Sequence, residues 1–447
     1  MRVLVLVLFF SSIVGAWAQG GVAQRPPMGW NSWDAYALTI TEPQFRANVE
    51  VQASKLKPFG WDYAVIDEGW FLENPEDRPT PDKLTYGLDA FGRYVPVTRR
   101  FPSAGTGDAR SFEELGRWVH GTGLKFGIHI VRGIPRESVR RNLPVDGSSF
   151  HAVDVADTGD ACPWDPTNWG VRDNAAGQAW YDSLLRQYAT WGVDLLKVDC
   201  ISNHPYKESE IRMIRRSIER SGRAMVLSLS SGPTSLEHAK TVGELAQMWR
   251  ISDDIWDVWE SSQPWPQTIK GQFARLASWA KYAKPGNWPD ADMLPIGELR
   301  PFPGGNGGPR SSKLTHDEQR TLMTLWSMGR SPLIVGANLT LLDDWTSSLL
   351  TNRDLIRVDQ TASASRQVSQ AADVIAWTAD LPGGEMALAV FNVGDIPAAV
   401  FQAFTAYGLK SGAWRSREVW TGQENSAQTG VKVTIPPHGC LLLTLRQ

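Results

Sequence analysis

The chain has 447 residues, a formal net charge of -3 at pH 7 and only three cysteines. This length exceeds one ordinary hydrophobic core, so we expect about two domains. A slightly acidic chain is poorly suited to a nucleic-acid partner, because neutralising phosphates requires a basic surface, and so few cysteines do not make a disulfide scaffold.

The first 18 residues have the pattern of a secretory signal peptide. Arg2 precedes the apolar run Val3–Phe10, and residues 16–18 fit the small-x-small rule for cleavage. The run is too short to span a membrane, and no later stretch of the sequence approaches a spanning length. We therefore expect an exported protein, secreted or periplasmic, with no membrane partner. One disulfide is permitted in such a compartment, and Cys162 with Cys200 is the preferred pair.

Residues 19–358 alternate short apolar runs with helix-like stretches. Strands that alternate with helices form parallel βαβ units, and eight of them predict a closed (β/α)8 barrel, the TIM barrel of the α/β class. An open doubly wound sheet is the alternative, although no Gly-x-Gly-x-x-Gly turn follows the first strand. The predicted strands are Met28–Trp33, Tyr63–Trp70, Leu124–Val131, Leu195–Cys200, Met225–Ser230, Met248–Asp254, Trp288–Leu294 and Ser331–Asn338. The predicted helices are Thr41–Leu56, Phe112–Gly121, Gly177–Trp191 and Lys207–Ser221.

Residues 359–447 have a different pattern, with short strand-like runs separated by turn residues. This pattern predicts a C-terminal antiparallel β-sandwich domain, and its lack of clustered acids or histidines indicates a structural role. Between the seventh and eighth barrel strands, Pro301–Ser312 is rich in proline and glycine. It is either a loop that moves over a ligand or an ordinary variable surface loop. The predicted sandwich strands are Val374–Thr378, Met386–Phe391, Ala398–Phe401, Ser416–Trp420, Val431–Ile435 and Cys440–Leu445.

Charged residues gather where the predicted barrel strands end. In a parallel barrel these ends converge on one rim, which is where the catalytic residues of such barrels lie. An acid at one strand end is more often a helix cap or a surface charge, but its recurrence along the barrel indicates a site. The residues are Asp67 and Glu68, His129, Lys197 and Asp199, Asp253 and Asp254, and Asp290 and Asp292.

Three kinds of chemistry use such a rim. A metal site needs several converging carboxylates and histidines, but His129 is the only histidine in the set and no His-x-His or His-Glu-x-x-His motif occurs. A Schiff-base lysine is opposed by Asp199, which raises the pKa of Lys197. Glycoside cleavage needs one ionised and one protonated carboxyl, which Asp199 beside Lys197 and the adjacent acids Asp253 and Asp254 supply. We therefore expect glycoside cleavage without a metal.

Six stretches of the sequence also form a joint pattern. They are RPPMGWNSW (25–33), YAVIDEGW (63–70), LKVD (196–199), WRISDDI (249–255), WPDADML (288–294) and WSMGRSPL (326–333). In this order they resemble glycoside hydrolase family 27, which contains α-galactosidases, α-N-acetylgalactosaminidases and minor members that act on β-L-arabinopyranosides or isomaltodextrins. The resemblance runs from Arg25 to Asp359 and implies a catalytic (β/α)8 barrel followed by a β-sandwich.

The resemblance implies a role for several residues. Asp199 matches the family's nucleophile, and Asp254, rather than its neighbour Asp253, matches the acid/base. The implied mechanism is double displacement with retention, for which the two carboxyl groups lie about 5–5.5 Å apart, and it needs no cofactor. The residues expected around the sugar are Trp33 against the ring, Asp67 and Lys197 on its hydroxyls, Arg250 on the O2 side, and Asp292.

The sequence departs from the family at positions that affect the choice of sugar. Asp67-Glu68 replaces the usual Asp-Asp pair, and the extra methylene of Glu68 pushes a carboxylate toward the place of a hydroxymethyl group, unless a side-chain rotation absorbs it. This change favours a pentopyranose such as L-arabinopyranose. His129 stands where many relatives have Tyr. Small Ser231 and Thr234 leave room near the 2-position of the sugar, which is compatible with an N-acetyl group.

Two further departures are Arg132, just after the third predicted strand, and Cys200, directly after the predicted nucleophile. Arg132 lies in an unusual Val-Arg-Gly-Ile-Pro-Arg run. It either contacts the leaving group or forms a salt bridge that organises the long insert Gly133–Asn174. Because Cys200 follows Asp199 directly, whereas relatives commonly have a residue between, the resemblance does not by itself imply the family's disulfide near the nucleophile.

We therefore expect a retaining exo-glycosidase that acts on α-D-galactosides, within a galactoside-containing oligosaccharide or polysaccharide. β-L-Arabinopyranosides and α-N-acetylgalactosaminides are the alternative substrates within the same family. The alternative from another class is a catalytically silent carbohydrate-binding protein. The presence of both Asp199 and Asp254 speaks against that alternative, because binding alone does not need the pair.

Overall fold

The structure is a computed structural model that describes residues 21–75, 83–165, 167–300 and 308–447. The predicted signal peptide, residues 1–18, lies outside the described residues, and so does most of the predicted loop 301–312. Within the described ranges, no helix is both long and apolar enough to cross a membrane. In chain order, the strands are β1 (Met28–Asn31), β2 (Tyr63–Ile66), β3 (Lys125–Val131), β4 (Ile134–Pro135), β5 (Ala156–Asp157), β6 (Asn168–Val171), β7 (Val193–Asp199), β8 (Val226–Leu229), β9 (Met248–Arg250), β10 (Trp288–Asp290), β11 (Glu298–Leu299), β12 (Arg310–Ser311), β13 (Leu333–Val335), β14 (Ser363–Ala371), β15 (Val374–Leu381), β16 (Glu385–Asn392), β17 (Ala398–Ala403), β18 (Trp414–Glu418), β19 (Glu424–Gln428), β20 (Gly430–Ile435) and β21 (Cys440–Arg446). The α-helices are α1 (Trp33–Tyr36), α2 (Glu42–Val51), α3 (Glu113–Gly121), α4 (Arg136–Arg140), α5 (Ala152–Val155), α6 (Ala175–Thr190), α7 (Glu208–Ser221), α8 (Ala239–Leu245), α9 (Gln272–Trp279), α10 (His316–Gly329), α11 (Asp344–Leu350) and α12 (Arg353–Thr361).

Eight parallel strands form one sheet, which confirms the predicted barrel. Their spatial order is β10-β9-β8-β7-β3-β2-β1-β13, so strands that succeed one another along the chain lie side by side. The two ends of the sheet meet where Leu294, just beyond β10, forms a parallel bridge with Val335 of β13. The Leu294 amide donates a 2.8 Å hydrogen bond to the carbonyl of Ile334 there. A doubly wound sheet reverses its strand order at a switch point, whereas this order runs in one direction.

Seven of the eight barrel strands are shorter than predicted at their carboxyl ends, whereas β3 ends at Val131 as predicted. β2 ends at Ile66 and β9 at Arg250, whereas the predictions ran on to Trp70 and Asp254. The predictions were too long because the loops after these strands are also apolar and buried: Trp70 is 0% exposed and Ile251 1%. The acids predicted at strand ends therefore lie in or next to the loops at the rim.

All four predicted helices are present, and their ends follow ordinary capping chemistry. α2 begins after Thr41, whose amide donates a 3.0 Å hydrogen bond to the side chain of Gln44. α6 begins after Asn174, whose side chain accepts a 2.8 Å hydrogen bond from the amide of Gly177. α7 ends before Gly222, which has a φ of 72° that glycine adopts without strain. Local capping signals therefore predict these helices well.

The chain between β3 and α6, which we call the insert, has its own three-stranded sheet, β4-β6-β5. Arg132 anchors it: this guanidinium, 1% exposed, donates to both carboxylate oxygens of Asp160 at 2.8 and 2.9 Å and to Glu210 Oε1 of α7 at 2.8 Å. Of the two roles predicted for Arg132, the structure therefore supports the organising salt bridge. The predicted disulfide between Cys162 and Cys200 is present and ties the insert to the residue after β7.

The C-terminal part of the chain is a two-layer β-sandwich, as predicted. One layer is an antiparallel sheet in the order β14-β15-β16-β21-β18-β19, and the other pairs β17 with β20. Leu388 of the larger sheet packs in one cluster with Val400 and Ile435 of the smaller. The larger sheet also contacts the barrel helices, where the ring of Phe391 lies 5.0 Å from that of Phe273 in α9. Apolar packing therefore holds the sandwich to the barrel.

The sequence did not predict β14 or β19, the two edge strands of the larger sheet. Their sequences, SASRQVSQA and ENSAQ, are mostly polar and exposed. An edge strand is often polar, because charged and polar side chains protect it from pairing with other chains. The boundary predicted between residues 358 and 359 falls inside α12, and the first sandwich strand begins at Ser363.

Arg132→Met is expected to lower the free energy of unfolding by about 3 kcal/mol, because it leaves the buried carboxylate of Glu210 without its cation. Urea denaturation of the variant and the wild type measures this difference. Arg140→Met is the matched control, since Arg140 pairs with Glu137 at the surface with its side chain 72% exposed. We expect no measurable change from that control. Equal stability of Arg132→Met and wild type would contradict the anchoring role of Arg132.

Candidate active site

Asp199 is the last residue of β7, and its side chain is 14% exposed. Its Oδ1 accepts a 2.7 Å hydrogen bond from the amide of Cys200, and its Oδ2 accepts one of 3.3 Å from the indole N–H of Trp164. Nε2 of His129 lies 3.7 Å from Oδ2. Burial by itself raises the pKa of a carboxyl, but His129, Lys197 and the Cys200 amide together hold the pKa of Asp199 below its ordinary value. Asp199 is therefore ionised, as a nucleophile must be.

A buried ion pair joins the second and fourth strands of the barrel. Lys197 Nζ donates a 2.8 Å hydrogen bond to Asp67 Oδ2, which also accepts one of 2.7 Å from Asn31 Nδ2. Burial disfavours both charges, but their attraction outweighs it: the pKa of Asp67 falls to about 2, and the pKa of Lys197 rises above its ordinary value. A lysine that keeps its proton has no lone pair for a Schiff base. Lys197 therefore acts through its charge and hydrogen bonds.

His129 in β3 lies beside these acids. It is 1% exposed, and its Nδ1 has no hydrogen-bond partner among the described residues. Burial lowers the pKa of the imidazole, but Asp67 and Asp199 raise it more, so the pKa lies above that of an ordinary histidine. His129 therefore stays protonated to higher pH and favours the carboxylate form of Asp199.

Asp254, in the loop after β9, is the more exposed of the two predicted catalytic acids, with its side chain 42% exposed. Arg250 links it to the interior, because its guanidinium lies 3.2 Å from Asp254 Oδ1 and 2.7 Å from Asp292 Oδ2. Asp292 also accepts a 2.8 Å hydrogen bond from the amide of Ile255. Burial raises the pKa of Asp292 above its ordinary value although Arg250 opposes the rise. An exposed acid such as Asp254 can exchange its proton with water, as a general acid/base must.

The two acids open into a large cleft with a volume of about 1030 Å³. The predicted site residues in its wall are Trp33, Glu68, Asp199, Ser231 and Asp254. A cavity of about 30 Å³ inside the barrel is lined by Lys197, Arg250 and Asp292, together with Asn31 and Asp290. The interior cavity has room for only about one or two water molecules, so the space for a ligand is the cleft.

Three predicted site residues, Asp67, His129 and Thr234, line neither of these two cavities, although Ser231 in the loop of Thr234 does line the cleft. Thr234 is 2% exposed, and its hydroxyl donates a 2.8 Å hydrogen bond to the carbonyl of Arg250. Thr234 therefore supports the backbone that carries Arg250.

Sequence reasoning missed several residues that line the cleft. Trp164 comes from the insert and Trp265 from the loop after Asp254. Neither stands in a periodic pattern, so nothing distinguished them among the 21 tryptophans. The one usable signal was Cys162, whose bond to Cys200 brings its neighbours beside the end of β7. Further lining residues that were missed are Ala35, Tyr36, Ala37, Leu38, Thr39, Pro75, Pro163, His204 and Arg300.

The arrangement offers the groups that cleavage of a glycosidic bond uses. Asp199 is a buried, ionised carboxylate, and Asp254 is a second carboxyl at the water-accessible mouth of the same cleft. Such a pair can act as nucleophile and as acid/base. Across the described residues, no group of three or more His, Cys, Asp or Glu side chains is placed to hold a metal ion.

Two known protein families match separate parts of the chain. The family described as Alpha galactosidase A matches residues 174–361, and the Alpha galactosidase C-terminal beta sandwich domain matches residues 371–445. The chain is similar to a solved β-L-arabinopyranosidase of glycoside hydrolase family 27 from Geobacillus stearothermophilus, with 39% identity and a TM-score of 0.88 over 95% of this chain and 97% of that chain. It is also similar to Alpha-galactosidase 2 of Arabidopsis thaliana, with 27% identity over 95% of this chain and 90% of the relative. The Alpha-galactosidase of Cyamopsis tetragonoloba is 27% identical over 96% of this chain and 88% of the relative.

Lys197→Met is expected to destabilise the protein by about 3–5 kcal/mol near pH 7, because Asp67 is left charged and buried without its cation. The difference in the free energy of unfolding between Lys197→Met and the wild type should become smaller at acid pH. The pKa of Asp67 is about 2 in the folded protein against an ordinary 3.8, so the wild type gains stability from this group above pH 3.8 and loses it as the pH falls toward 2.

Urea denaturation of both proteins at about pH 7, 5 and 3 measures this convergence. Lys125→Met is the control, since Lys125 is 49% exposed and lies 3.8 Å from the half-exposed Asp62. That variant should follow the wild type at every pH. A difference between Lys197→Met and wild type that stays constant with pH would contradict the assigned charge state of Asp67.

Proposed function

The chain belongs to glycoside hydrolase family 27, and on that premise we propose that it is a retaining exo-glycosidase for terminal β-L-arabinopyranosyl residues, with terminal α-D-galactosyl residues as its second substrate. The observation that carries the choice of sugar is Glu68, a buried carboxylate in the wall of the cleft and next in the chain to Asp67. This order reverses the one expected from the sequence, which placed α-D-galactosides first.

The two sugars present nearly the same ring to the protein. They share the configuration of their ring hydroxyls, and only galactose carries a hydroxymethyl group. Glu68 reaches one methylene further than the aspartate usual in the family, toward the space that this group needs. At 5% exposure Glu68 has little room to turn away. The relatives support the first place of the arabinopyranoside only in part: the relative at 39% identity is a β-L-arabinopyranosidase, a neighbour at 38% is described as a putative alpha-N-acetylgalactosaminidase, and the relatives at 27% are α-galactosidases.

In the first half of the proposed reaction, the Asp199 carboxylate attacks the anomeric carbon of the sugar. A bond forms between a carboxylate oxygen and that carbon, the glycosidic C–O bond breaks, and Asp254 gives its proton to the departing oxygen. The lowered pKa of Asp199 keeps the nucleophile ionised. The exposure of Asp254 in the wall of the same cleft supports its role as the acid that protonates the departing oxygen.

In the second half, the ionised Asp254 accepts a proton from water while the water oxygen bonds to the anomeric carbon. The ester bond to Asp199 breaks, and the sugar leaves with its original anomeric configuration. In this proposal Asp67 and Lys197 hold ring hydroxyls, as in the family pattern. Arg250, fixed by Asp292, holds the O2 side. These groups are already ordered by their own contacts, which limits the entropy lost when the sugar binds.

The α-N-acetylgalactosaminide alternative has less support from the site than the other two sugars. It depended on room beside Ser231 and Thr234 for an N-acetyl group. The Thr234 hydroxyl donates to the carbonyl of Arg250, so its proton is not available to the N-acetyl oxygen.

The natural substrate in this proposal is an oligosaccharide or polysaccharide that carries terminal pentopyranosyl or galactosyl groups. We further propose that the protein is exported, secreted or periplasmic, on the signal-peptide pattern of its first 18 residues. The disulfide between Cys162 and Cys200 supports this proposal, because such bonds persist in oxidising compartments.

Asp199→Ala is expected to lower kcat/KM on p-nitrophenyl β-L-arabinopyranoside by at least about a thousandfold, because the nucleophile is lost. Circular dichroism checks that the variant is folded. Asp317→Ala, which removes a surface acid of α10, is the matched control and should keep wild-type activity. Proton NMR of the first sugar released by the wild type should show the retained anomer. A fully active Asp199→Ala protein, or an inverted product, would rule out the double displacement.

Glu68→Asp is expected to raise the ratio of kcat/KM for p-nitrophenyl α-D-galactoside to that for β-L-arabinopyranoside by about tenfold, since shortening the side chain makes room for the hydroxymethyl group. Wild type should prefer the arabinopyranoside. Measuring both substrates on both proteins tests the assignment, and the p-nitrophenyl group, common to both, cancels in the ratio. A wild type that prefers the galactoside, with a ratio unmoved by Glu68→Asp, would refute the role of Glu68.

A further inference from the structure

Two exposed indoles stand in the wall of the cleft, and each is tied to one of the two acids. Trp164 is 37% exposed and donates its indole N–H to Asp199 at 3.3 Å. Trp265 is 41% exposed, and its loop is fixed to the acid/base segment because the amide of Gln267 donates a 2.9 Å hydrogen bond to the carbonyl of Asp254. Both rings line the same cleft as the two carboxyls. Trp164 therefore lies beside Asp199, and Trp265 lines the same cleft from a loop that is hydrogen-bonded to the backbone of Asp254.

The insert holds Trp164 in place although the indole itself is exposed. Asp160 pairs with Arg132 and, at 2.8 Å, with Lys207, which fixes the chain four residues before the indole. Cys162 is bonded to Cys200, so the chain is held again two residues before it. An aromatic ring that is ordered before a ligand arrives binds it with a smaller loss of entropy.

Part of the remaining wall is apolar, beside the polar or charged side chains of Thr39, His204, Asp253 and Arg300. From the segment after β1 come Ala35, Tyr36, Ala37 and Leu38, and prolines 75 and 163 lie in the same wall. Aliphatic side chains offer no hydrogen bonds, and desolvating sugar hydroxyls without polar partners is costly. An apolar ring loses no hydrogen bonds here and gains both burial and contact with the indole faces.

We propose that this part of the cleft binds the leaving group of the substrate, and that the leaving group is an apolar ring system, aromatic or fused alicyclic, held by Trp164 and Trp265. This inference rests on the proposed function, since it assigns the far side of the bond that Asp199 and Asp254 cleave. The preferred substrates are then glycosides of apolar ring alcohols, while the oligosaccharides and polysaccharides proposed above are cleaved with weaker binding of the leaving group.

The experiment compares two substrates with the same sugar, one bearing a 2-naphthyl leaving group and one bearing glucose. The measured quantity is the ratio of kcat/KM for the naphthyl glycoside to kcat/KM for the disaccharide. Comparing this ratio between variants cancels the intrinsic reactivity of each leaving group. Trp265→Ala and Trp164→Ala should each lower the ratio about tenfold. Trp265→Phe, which keeps an aromatic face, should keep most of it.

Two further variants separate stacking from other effects. Trp164→Phe keeps a ring but loses the N–H that contacts Asp199, so it should retain most of the naphthyl preference even if activity on both substrates falls. Phe401→Ala is the control, because Phe401 is 62% exposed on the sandwich, away from the cleft, and should leave the ratio unchanged.

The inference fails if Trp265→Ala and Trp164→Ala lower activity on both substrates equally, or leave the ratio at its wild-type value. Thermal melting checks that the variants are folded. A wild type that hydrolyses neither glycoside would refute the proposed function itself, and this inference with it. An active wild type with an unmoved ratio would refute only the assignment of the leaving group.

Discussion

The rim of this barrel depends on the buried ion pair between Lys197 and Asp67. Several carboxylates share a poorly solvated space at the ends of the strands, and their mutual repulsion would leave some of them protonated. Lys197 keeps Asp67 ionised and, together with His129, keeps Asp199 ionised as well. Arg250 provides the matching charge on the other side of the site, although the buried Asp292 retains a raised pKa beside it.

A second constraint acts on the loops rather than on the strands. The barrel fixes where Asp199 lies, but the shape of the cleft beside it comes from the insert and from the loop after Asp254. Arg132 and the disulfide of Cys162 hold the insert at two points, so an exposed tryptophan can be both ordered and accessible. This division is common in parallel barrels, where the strands place the reacting groups and the loops select the substrate.

Much of the fold could be predicted because its signals are local. Alternating apolar runs and helical stretches identified all eight barrel strands, and the predicted start of α2 and both predicted ends of α7 lie within one residue of the observed ones. The errors have physical causes. Most barrel strands end earlier than predicted, since buried loop residues such as Trp70 are as apolar as the strands. Edge strands such as β19 are not predicted because they are polar.

The sequence by itself determined the class of the fold and the order of the charged residues along it, since both follow from hydrophobic periodicity and from acids recurring at strand ends. It also allowed the disulfide of Cys162 to be paired. Only the tertiary structure decided that Arg132 is buried in an ion-pair network, that Thr234 faces the backbone, and that Trp164 reaches Asp199. Those contacts join segments that are far apart in the chain. The direction of a loop side chain depends on its neighbours in space, and the local sequence pattern does not specify those neighbours.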